Sequence, residues 1–144
     1  MNIATRPATD ADKEFARIVH HLAYRQVVEK QFGPWDESDQ DRRFETDWHA
    51  GNFDLLIYDG NVCGYTSVAI HPKQISVREL VIHPTFQNRG IGSAYLRQLL
   101  DTAKALGVPV RLGTFPSNRA LTLYRRLGFR ECDRTNTHVL MEAK

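Results

Sequence analysis

The sequence predicts an α/β (mixed α+β) fold in which four helices flank one central sheet. Short apolar runs bounded by Gly, Pro or Asp indicate strands, and four longer stretches carry apolar residues at helical spacing. A strand, a glycine-rich turn and a long amphipathic helix follow one another within Glu79–Leu100. The length of 144 residues suits a single domain, residues 1–144, with a substantial core.

The N-terminal third of the chain predicts one strand and two helices. Asn2–Arg6 has the composition of a short strand. Thr9–Asp12 has the spacing of a capping box and should open a helix that runs into the late twenties, before Gly33-Pro34. Ser38–Asp41 has a similar spacing and should open a second helix, which Gly51 closes.

Three successive strands are predicted in the middle of the chain. Phe53–Tyr58 is followed by Asp59-Gly60, a strong signal for a two-residue hairpin turn. Val62–His71 then returns, and Ile75–Ile82 forms the third strand. Because short turns join antiparallel neighbours, we expect these three strands to be antiparallel.

The long helix after Gly92 should connect two parallel strands. Its apolar residues keep helical spacing as far as Gly107, which stands where a C-terminal glycine cap belongs. A helix of this length can serve as a crossover. The strand Ile75–Ile82 and the short strand Val110–Thr114 are therefore expected to be parallel neighbours.

The C-terminal segment predicts a fourth helix and a closing hairpin. Ser117 is expected to cap the helix, and Gly128 ends it. Phe129–Arg134 and His138–Glu142 should then pair with each other. The predicted sheet has six to seven strands and is mostly antiparallel.

The composition excludes several classes of partner. Hydrophobic residues make up 42% and charged residues 25%, as in a globular protein in water. The formal net charge of +2 is too small to favour nucleic acid or an anionic membrane. The chain has no apolar run long enough to span a membrane and no signal-peptide pattern, so we expect a cytoplasmic protein, with a homodimer left open.

The turn that follows Ile82 fits one of three phosphate-binding patterns. No Lys follows the glycines, so a Walker A loop is excluded. Tyr95 stands where a dinucleotide fingerprint needs its third glycine. The pattern [QR]-x-x-G-x-[GA] is matched in full by Gln87-Asn88-Arg89-Gly90-Ile91-Gly92.

Together with its setting, this loop resembles that of the GNAT superfamily of acetyl-CoA-dependent N-acetyltransferases. A strand precedes the loop, a helix follows it, and Asn118 and the block Leu123–Phe129 (LYRRLGF) resemble the second signature of that family. The resemblance implies that the strand before the loop splays from its parallel neighbour. Pantetheine would lie in that gap and pair with the main chain of Val81 and His83.

The resemblance also implies the rest of the cofactor site. The backbone amides of Asn88–Ser93 would hold the CoA pyrophosphate, and Asn118 and Tyr124 would lie along the cofactor. The residues expected to bind acetyl-CoA are Val81, Ile82, His83, Gln87, Asn88, Arg89, Gly90, Ile91, Gly92, Ser93, Asn118 and Tyr124. The six histidines show no ligand spacing, so no metal is expected.

Transfer of an acetyl group to an amine needs a base and an acid. Strand alternation places Glu79 on the face opposite Leu80, so Glu79 is the candidate base. Some members of the family carry their acid one residue earlier, where this chain has Arg78. His71, His83 or an ordered water remains an alternative base. By the resemblance, Tyr124 is the candidate acid, and a backbone amide near Val81–Ile82 would stabilise the oxyanion.

The acceptor site is expected in the segment from Tyr24 to Trp48. Tyr24, Phe32, Trp35 and Asp36 offer aromatic walls and negative charge, which suit a cationic amine. Tyr24-Arg25 and Arg42-Arg43 could instead hold a substrate carboxylate. The expected acceptor is the primary amine of a small molecule, such as an amino acid or a polyamine-like compound. The alternatives are a protein lysine, a protein N-terminus, or a non-catalytic acyl-CoA-binding domain.

Overall fold

The computed structural model describes residues 1–144 and confirms the mixed fold, with seven strands and four helices. The strands are β1 (Ala4–Pro7), β2 (Asp54–Tyr58), β3 (Asn61–Ile70), β4 (Ile75–Ile82), β5 (Val110–Thr114), β6 (Arg130–Arg134) and β7 (Val139–Ala143). The helices are α1 (Lys13–Phe32), α2 (Glu37–Ala50), α3 (Ile91–Leu106) and α4 (Ala120–Arg126). None of these helices combines the length and apolar character that a membrane crossing requires.

All seven strands form one sheet in the order β1-β2-β3-β4-β5-β7-β6. Only β4 and β5 are parallel, and α3 is the crossover between them. One face of the sheet packs against α3 and α4 through a cluster that includes Leu96 and Tyr124. The other face packs against α1 and α2 through a cluster that includes Val19 and Phe44.

The parallel pair splays apart as predicted. β4 and β5 are paired only from Ile75 with Val110 to Val77 with Leu112. β5 stays paired with β7 along its whole length, whereas the second half of β4 stays paired with β3. The second half of β4 therefore has one free edge, and this edge opens a gap in the middle of the sheet.

A β-bulge at Arg78 reverses the side of the sheet to which the following residues of β4 point. Ser67 of β3 pairs with Glu79, and the next residue, Val68, pairs with Val77, so that Arg78 has no partner. Val77 packs on the α3 side of the sheet, whereas Val81 packs on the α1 side. Without the extra residue, strict alternation would place both on one face. The bulge thus turns Glu79 toward α1 and α2.

Two helix starts differ from those predicted. Asp36 rather than Ser38 caps α2, since its carboxylate accepts a hydrogen bond from the Asp39 N–H at 3.0 Å. Asn118 rather than Ser117 serves the start of α4, because its Oδ1 accepts from the Ala120 N–H at 2.9 Å. Both positions are occupied by Asx side chains, which are as favourable as Ser at a helix start.

Candidate active site

The loop between β4 and α3 presents a row of free amides. Asn88 and Gly90 have positive φ angles of 62° and 81°, a conformation in which both residue types are tolerated. The backbone N–H groups of Asn88–Ser93 make no hydrogen bond within the chain, and Ala94 is the first residue to donate to the preceding turn. These amides lie at the positive end of the α3 dipole, a combination that suits an anion.

A cavity of about 740 Å³ extends from this loop along the free edge of β4. α1 and α4 form its other walls. The residues that line it include Tyr24, Val27, Leu80, Ile82, Gln87, Asn88, Gly90, Ile91, Gly92, Ser93, Ser117, Asn118, Leu123, Tyr124 and Arg126. A Cβ added to Gly92 would meet nothing within 4 Å. A ligand can therefore approach the main chain closely at this point.

The cavity fits a long ligand with a phosphate group and hydrogen-bonding arms. Besides the free amides, it contains the Ser117 hydroxyl, whose oxygen is buried and has no hydrogen-bond partner. A buried hydroxyl without a partner costs free energy that a bound polar ligand can recover. Ser117 was expected only as a helix cap, and nothing in its local sequence pointed to the cavity.

The main-chain contacts expected of Val81 and His83 need correction. The His83 N–H donates to the Cys63 carbonyl at 2.8 Å, and the His83 carbonyl accepts from Phe86 at 2.8 Å. Because the hydrogen bonds of an antiparallel ladder alternate, Val81 also faces β3. The main chain of Leu80 and Ile82 lies on the free edge instead.

Gln87 secures the loop to the strand. Its side-chain amide donates to the Ile82 carbonyl at 2.9 Å, a group that the β3 ladder leaves free. This bond engages the Ile82 carbonyl on the free edge of β4. The Ile82 N–H and the N–H and carbonyl of Leu80 remain on that edge and face the cavity. The structure gives Gln87 a role in holding the loop.

Tyr124 and Asn118 reach the same cavity from α4 and the loop before it. The Tyr124 side chain is almost completely buried, and this burial raises its pKa to about 12, so that the phenol stays protonated at neutral pH. Asn118 is held in place because its side-chain amide donates to Thr114 at 2.8 Å. Both residues line the cavity. Their contact with the cofactor stays a prediction.

Glu79 lies in a second cavity of about 1010 Å³, on the other side of Tyr24. The Tyr24 hydroxyl donates to a Glu79 carboxylate oxygen at 3.2 Å, and Tyr24 lines both cavities. Burial, and then the negative charge of Asp47, raise the pKa of Glu79 to about 7, although the hydrogen bond from Tyr24 opposes this shift. Glu79 therefore exchanges its proton near neutral pH.

Of the residues expected to bind the acceptor, three line this second cavity and one does not. Tyr24, Phe32 and Asp36 lie on its wall. Trp35 lies outside the cavity, where its ring packs against His21 at 5.1 Å and its Nε1 donates to Glu37 at 2.7 Å. Its partners on α1 and α2 hold the indole outside the cavity, so the structure does not bring Trp35 together with the other three residues.

Other residues of the second cavity were not predicted from the sequence. Phe115 directly follows β5, and His138 directly precedes β7. The centroids of their rings are 4.6 Å apart. Phe115 also packs against Phe32 at 5.7 Å, which completes an aromatic wall. These residues come together through the sheet order, which no local spacing reveals. Arg78 lines the same cavity beside Glu79.

The histidines considered as alternative bases lie elsewhere. His71 is exposed after the end of β3, and neither His71 nor His83 lines one of the two cavities. The His83 ring accepts a hydrogen bond from the Thr85 N–H at 3.0 Å. The geometry therefore favours Glu79 over either histidine.

One group of side chains has the ligand types that a metal ion needs. The ligand atoms of His21, Glu37 and Asp41 lie within 4.8 Å of one another. The Arg17 guanidinium already contacts both carboxylates, at 3.6 Å from Glu37 and 3.2 Å from Asp41. Arg17 thus supplies the positive charge in this group.

A strand that splays from its parallel neighbour and leads into a loop of free amides is the arrangement expected of an acyl-CoA-dependent acyltransferase. The model of the acetyltransferase (GNAT) family matches residues 21–129. This chain belongs to the GNAT family, whose members are acetyltransferases that use acetyl-CoA.

The chain is similar to several known proteins. It is 35% identical over 74 residues to the N-alpha-acetyltransferase RimI of Mycobacterium tuberculosis, a match that covers 49% of this chain and about half the length (46%) of that relative. The PaiA N-acetyltransferase of Thermoplasma acidophilum, solved in complex with coenzyme A, shares the fold with a TM-score of 0.78 and 18% identity, and the match covers 100% of this chain and 99% of that one. The ribosomal-protein-S18-alanine N-acetyltransferase of Escherichia coli matches with a TM-score of 0.66 and 20% identity, and the match covers 98% of this chain and 92% of that one.

Proposed function

We propose that this protein transfers the acetyl group of acetyl-CoA directly to the primary amine of a small molecule. The observation that carries the proposal is the position of Tyr24, which separates the two cavities and donates a hydrogen bond to Glu79. A thioester in the first cavity and an amine in the second would meet beside this pair. The family of the chain supports the acetyl-CoA-dependent chemistry.

The first cavity would bind the donor through the main chain. The free amides of Asn88–Ser93 would hold the pyrophosphate, and the free edge of β4 at Leu80 and Ile82 would pair with the amides of the pantetheine arm. Ser117 and Asn118 line the side facing α4, where they would contact the same arm. The Ile82 or Leu80 N–H would stabilise the oxyanion of the tetrahedral intermediate.

Glu79 would act as the base. An alkylammonium ion has a pKa of about 10.4, so nearly all of the acceptor enters in its charged form. A carboxylate with a pKa of about 7 is ionised in a large share of molecules at neutral pH and can take one proton from that ammonium, directly or through a water. The free amine then attacks the thioester carbonyl carbon, and a C–N bond forms.

Tyr124 would act as the acid. Collapse of the tetrahedral intermediate breaks the C–S bond and leaves the electron pair on sulfur. The Tyr124 phenol, kept protonated by its raised pKa, would donate its proton to this thiolate. The nitrogen of the intermediate still carries one proton more than the amide, and this proton passes to the phenolate, directly or through a water. The proton taken up by Glu79 leaves to solvent, so that the net products are CoA thiol, the acetylated amine and one proton.

The second cavity favours a small acceptor. Its volume of about 1010 Å³ lies at the upper end of the usual range for small-molecule sites, and α1, α2 and the sheet enclose it on several sides. A protein N-terminal amine is the second candidate, because the relative from M. tuberculosis is named as an N-alpha-acetyltransferase.

We further propose that residues 1–144 act as one catalytic unit.

A screen for CoA thiol release tests the proposal. Purified protein with acetyl-CoA would be given amino acids, polyamines, aminoglycosides and peptides with free N-termini. We expect amine-dependent release of CoA with at least one small amine. Release with peptides alone would favour the second candidate. Binding of acetyl-CoA without release for any amine would show a non-catalytic acyl-CoA-binding domain and would refute the proposal.

A further inference from the structure

Arg78 is a cation in the acceptor cavity that has no partner within the chain. Its guanidinium makes neither a salt bridge nor a hydrogen bond, although the residue lines the cavity beside Glu79. The other two arginines of the cavity are both bound to Asp39, Arg42 at 3.1 Å and Arg43 at 2.9 Å. Arg78 alone among them is free to bind an anion.

The bulge of β4 explains why Arg78 and Glu79 share one cavity. Adjacent residues of a regular strand point to opposite faces of the sheet. Arg78 is the unpaired extra residue of the bulge, and such a residue can be directed to the side of its neighbour. An acidic and a basic side chain thereby reach the same cavity from consecutive positions.

The remaining charges of the cavity complete a pattern. Asp36 is committed to the start of α2, and Asp39 is committed to two arginines. Asp47 and Glu79 are the acids of the cavity that neither cap a helix nor have a cationic partner within 4 Å. Apart from the capping residue Asp36, the cavity therefore offers two carboxylates without a cationic partner and one guanidinium without an anionic partner, an arrangement complementary to a molecule that carries an ammonium and a carboxylate.

We infer that Arg78 binds the carboxylate of the acceptor and that the acceptor is a free amino acid. The inference rests on the proposed function and names the substrate class of that site. Arg78 is then a specificity-determining residue, because a planar guanidinium can bind both oxygens of a carboxylate, and an amide or a peptide bond cannot replace them. The amine of the same molecule would be directed toward Glu79.

The test compares free amino acids with their α-amides. Steady-state rates of CoA release would be measured for the proteinogenic amino acids and for the matched amides, with wild type, Arg78→Ala and Arg78→Lys. Arg97→Ala is the control, since Arg97 is also an exposed arginine without a partner but lies on α3 outside both cavities. Acetyl-CoA affinity would be measured separately for each variant.

We expect wild type to prefer the acids. Arg78→Ala should raise KM for the acid about 10- to 100-fold, the size expected for a lost charge-assisted hydrogen bond, with kcat and the KM for the amide within about 2-fold. Arg78→Lys should restore part of the loss, and Arg97→Ala should change nothing.

Three results would overturn the inference while leaving the proposed function intact: equal use of acid and amide by wild type, an equal rise in KM for both in Arg78→Ala, or turnover of peptides alone. Failure to acetylate any amine would refute the proposed function itself, and the inference with it. The separate measurement of acetyl-CoA affinity shows whether such a failure comes from a misfolded preparation.

Discussion

Glu79 is held in an environment that opposes its ionisation. Burial and the charge of Asp47 raise its pKa, and the Tyr24 hydroxyl offsets only part of this effect. A base with a pKa near the working pH combines a useful ionised fraction with a useful basicity. Such a site costs stability, because the folded protein at pH 8 contains a buried carboxylate that the unfolded chain would leave in water.

The pH dependence of stability should reveal this cost. A carboxyl whose pKa rises from 4.5 to about 7 on folding stabilises the fold while it is protonated, and this contribution is lost as the pH rises through the folded-state pKa. As the pH rises from 4.5 to 8, the free energy of unfolding of Glu79→Gln should therefore increase relative to that of wild type, by up to about 3 kcal/mol. Urea unfolding of both proteins at several pH values measures the difference. A constant difference across that range would show that the pKa of Glu79 is not raised.

Tyr124 offers a second prediction at this scale. Tyr124→Phe keeps the ring that packs against Phe129 and removes only the hydroxyl. We expect kcat to fall about 100-fold or more, as for loss of a general acid, while the affinity for acetyl-CoA stays within a few-fold. Tyr58→Phe, on β2 and outside both cavities, is the matched control. An unchanged kcat in Tyr124→Phe would exclude its role as the acid.

At the scale of elements, the site depends on β4 and the loop that follows it. The strand, the loop and α3 were predictable from local sequence, because an apolar run, a glycine pattern and helical spacing each show within a few residues. The face that each β4 residue presents was harder to predict. Glu79 lies on the predicted face of the strand, whereas its role as the base stays a prediction. The main chain on the free edge of β4 is that of Leu80 and Ile82, not that of Val81 and His83, because the latter pair with β3.

The two ends of α3 provide a matched test of the loop. Gly90 and Gly107 both have left-handed conformations, with φ angles of 81° and 72°, and flank the same helix. Gly90→Asp should abolish detectable acetyl-CoA binding because it puts a negative charge among the free amides. Gly107→Asp introduces a similar backbone strain far from the loop and should leave that affinity unchanged. Calorimetric titration with acetyl-CoA measures both. Affinity within a few-fold of wild type in Gly90→Asp would contradict the position of the pyrophosphate.

At the scale of the whole molecule, the site lies where the sheet opens. β5 stays paired with β7, and the second half of β4 stays paired with β3. Residues of β4 and β5 beside the resulting gap line the two cavities. α1 closes the gap from one side, and its residue Tyr24 lines both cavities. The strands, the helices and the glycine-containing loop were predictable because their patterns are local. The second cavity was predictable only in part, since Phe115, His138 and Arg78 reach it through sheet order and a bulge. The single-domain organisation and a homodimer stay predictions.

The central claim is that Glu79 removes the proton from an amine beside the thioester. The most direct measurement is the pH dependence of kcat/KM for amine acetylation in wild type and Glu79→Gln. The account predicts that the wild-type value rises with pH through an ionisation near pH 7, and that the variant is about 100-fold slower or more and lacks this ionisation, with acetyl-CoA affinity retained. A variant with the rate and the pH profile of wild type would contradict it.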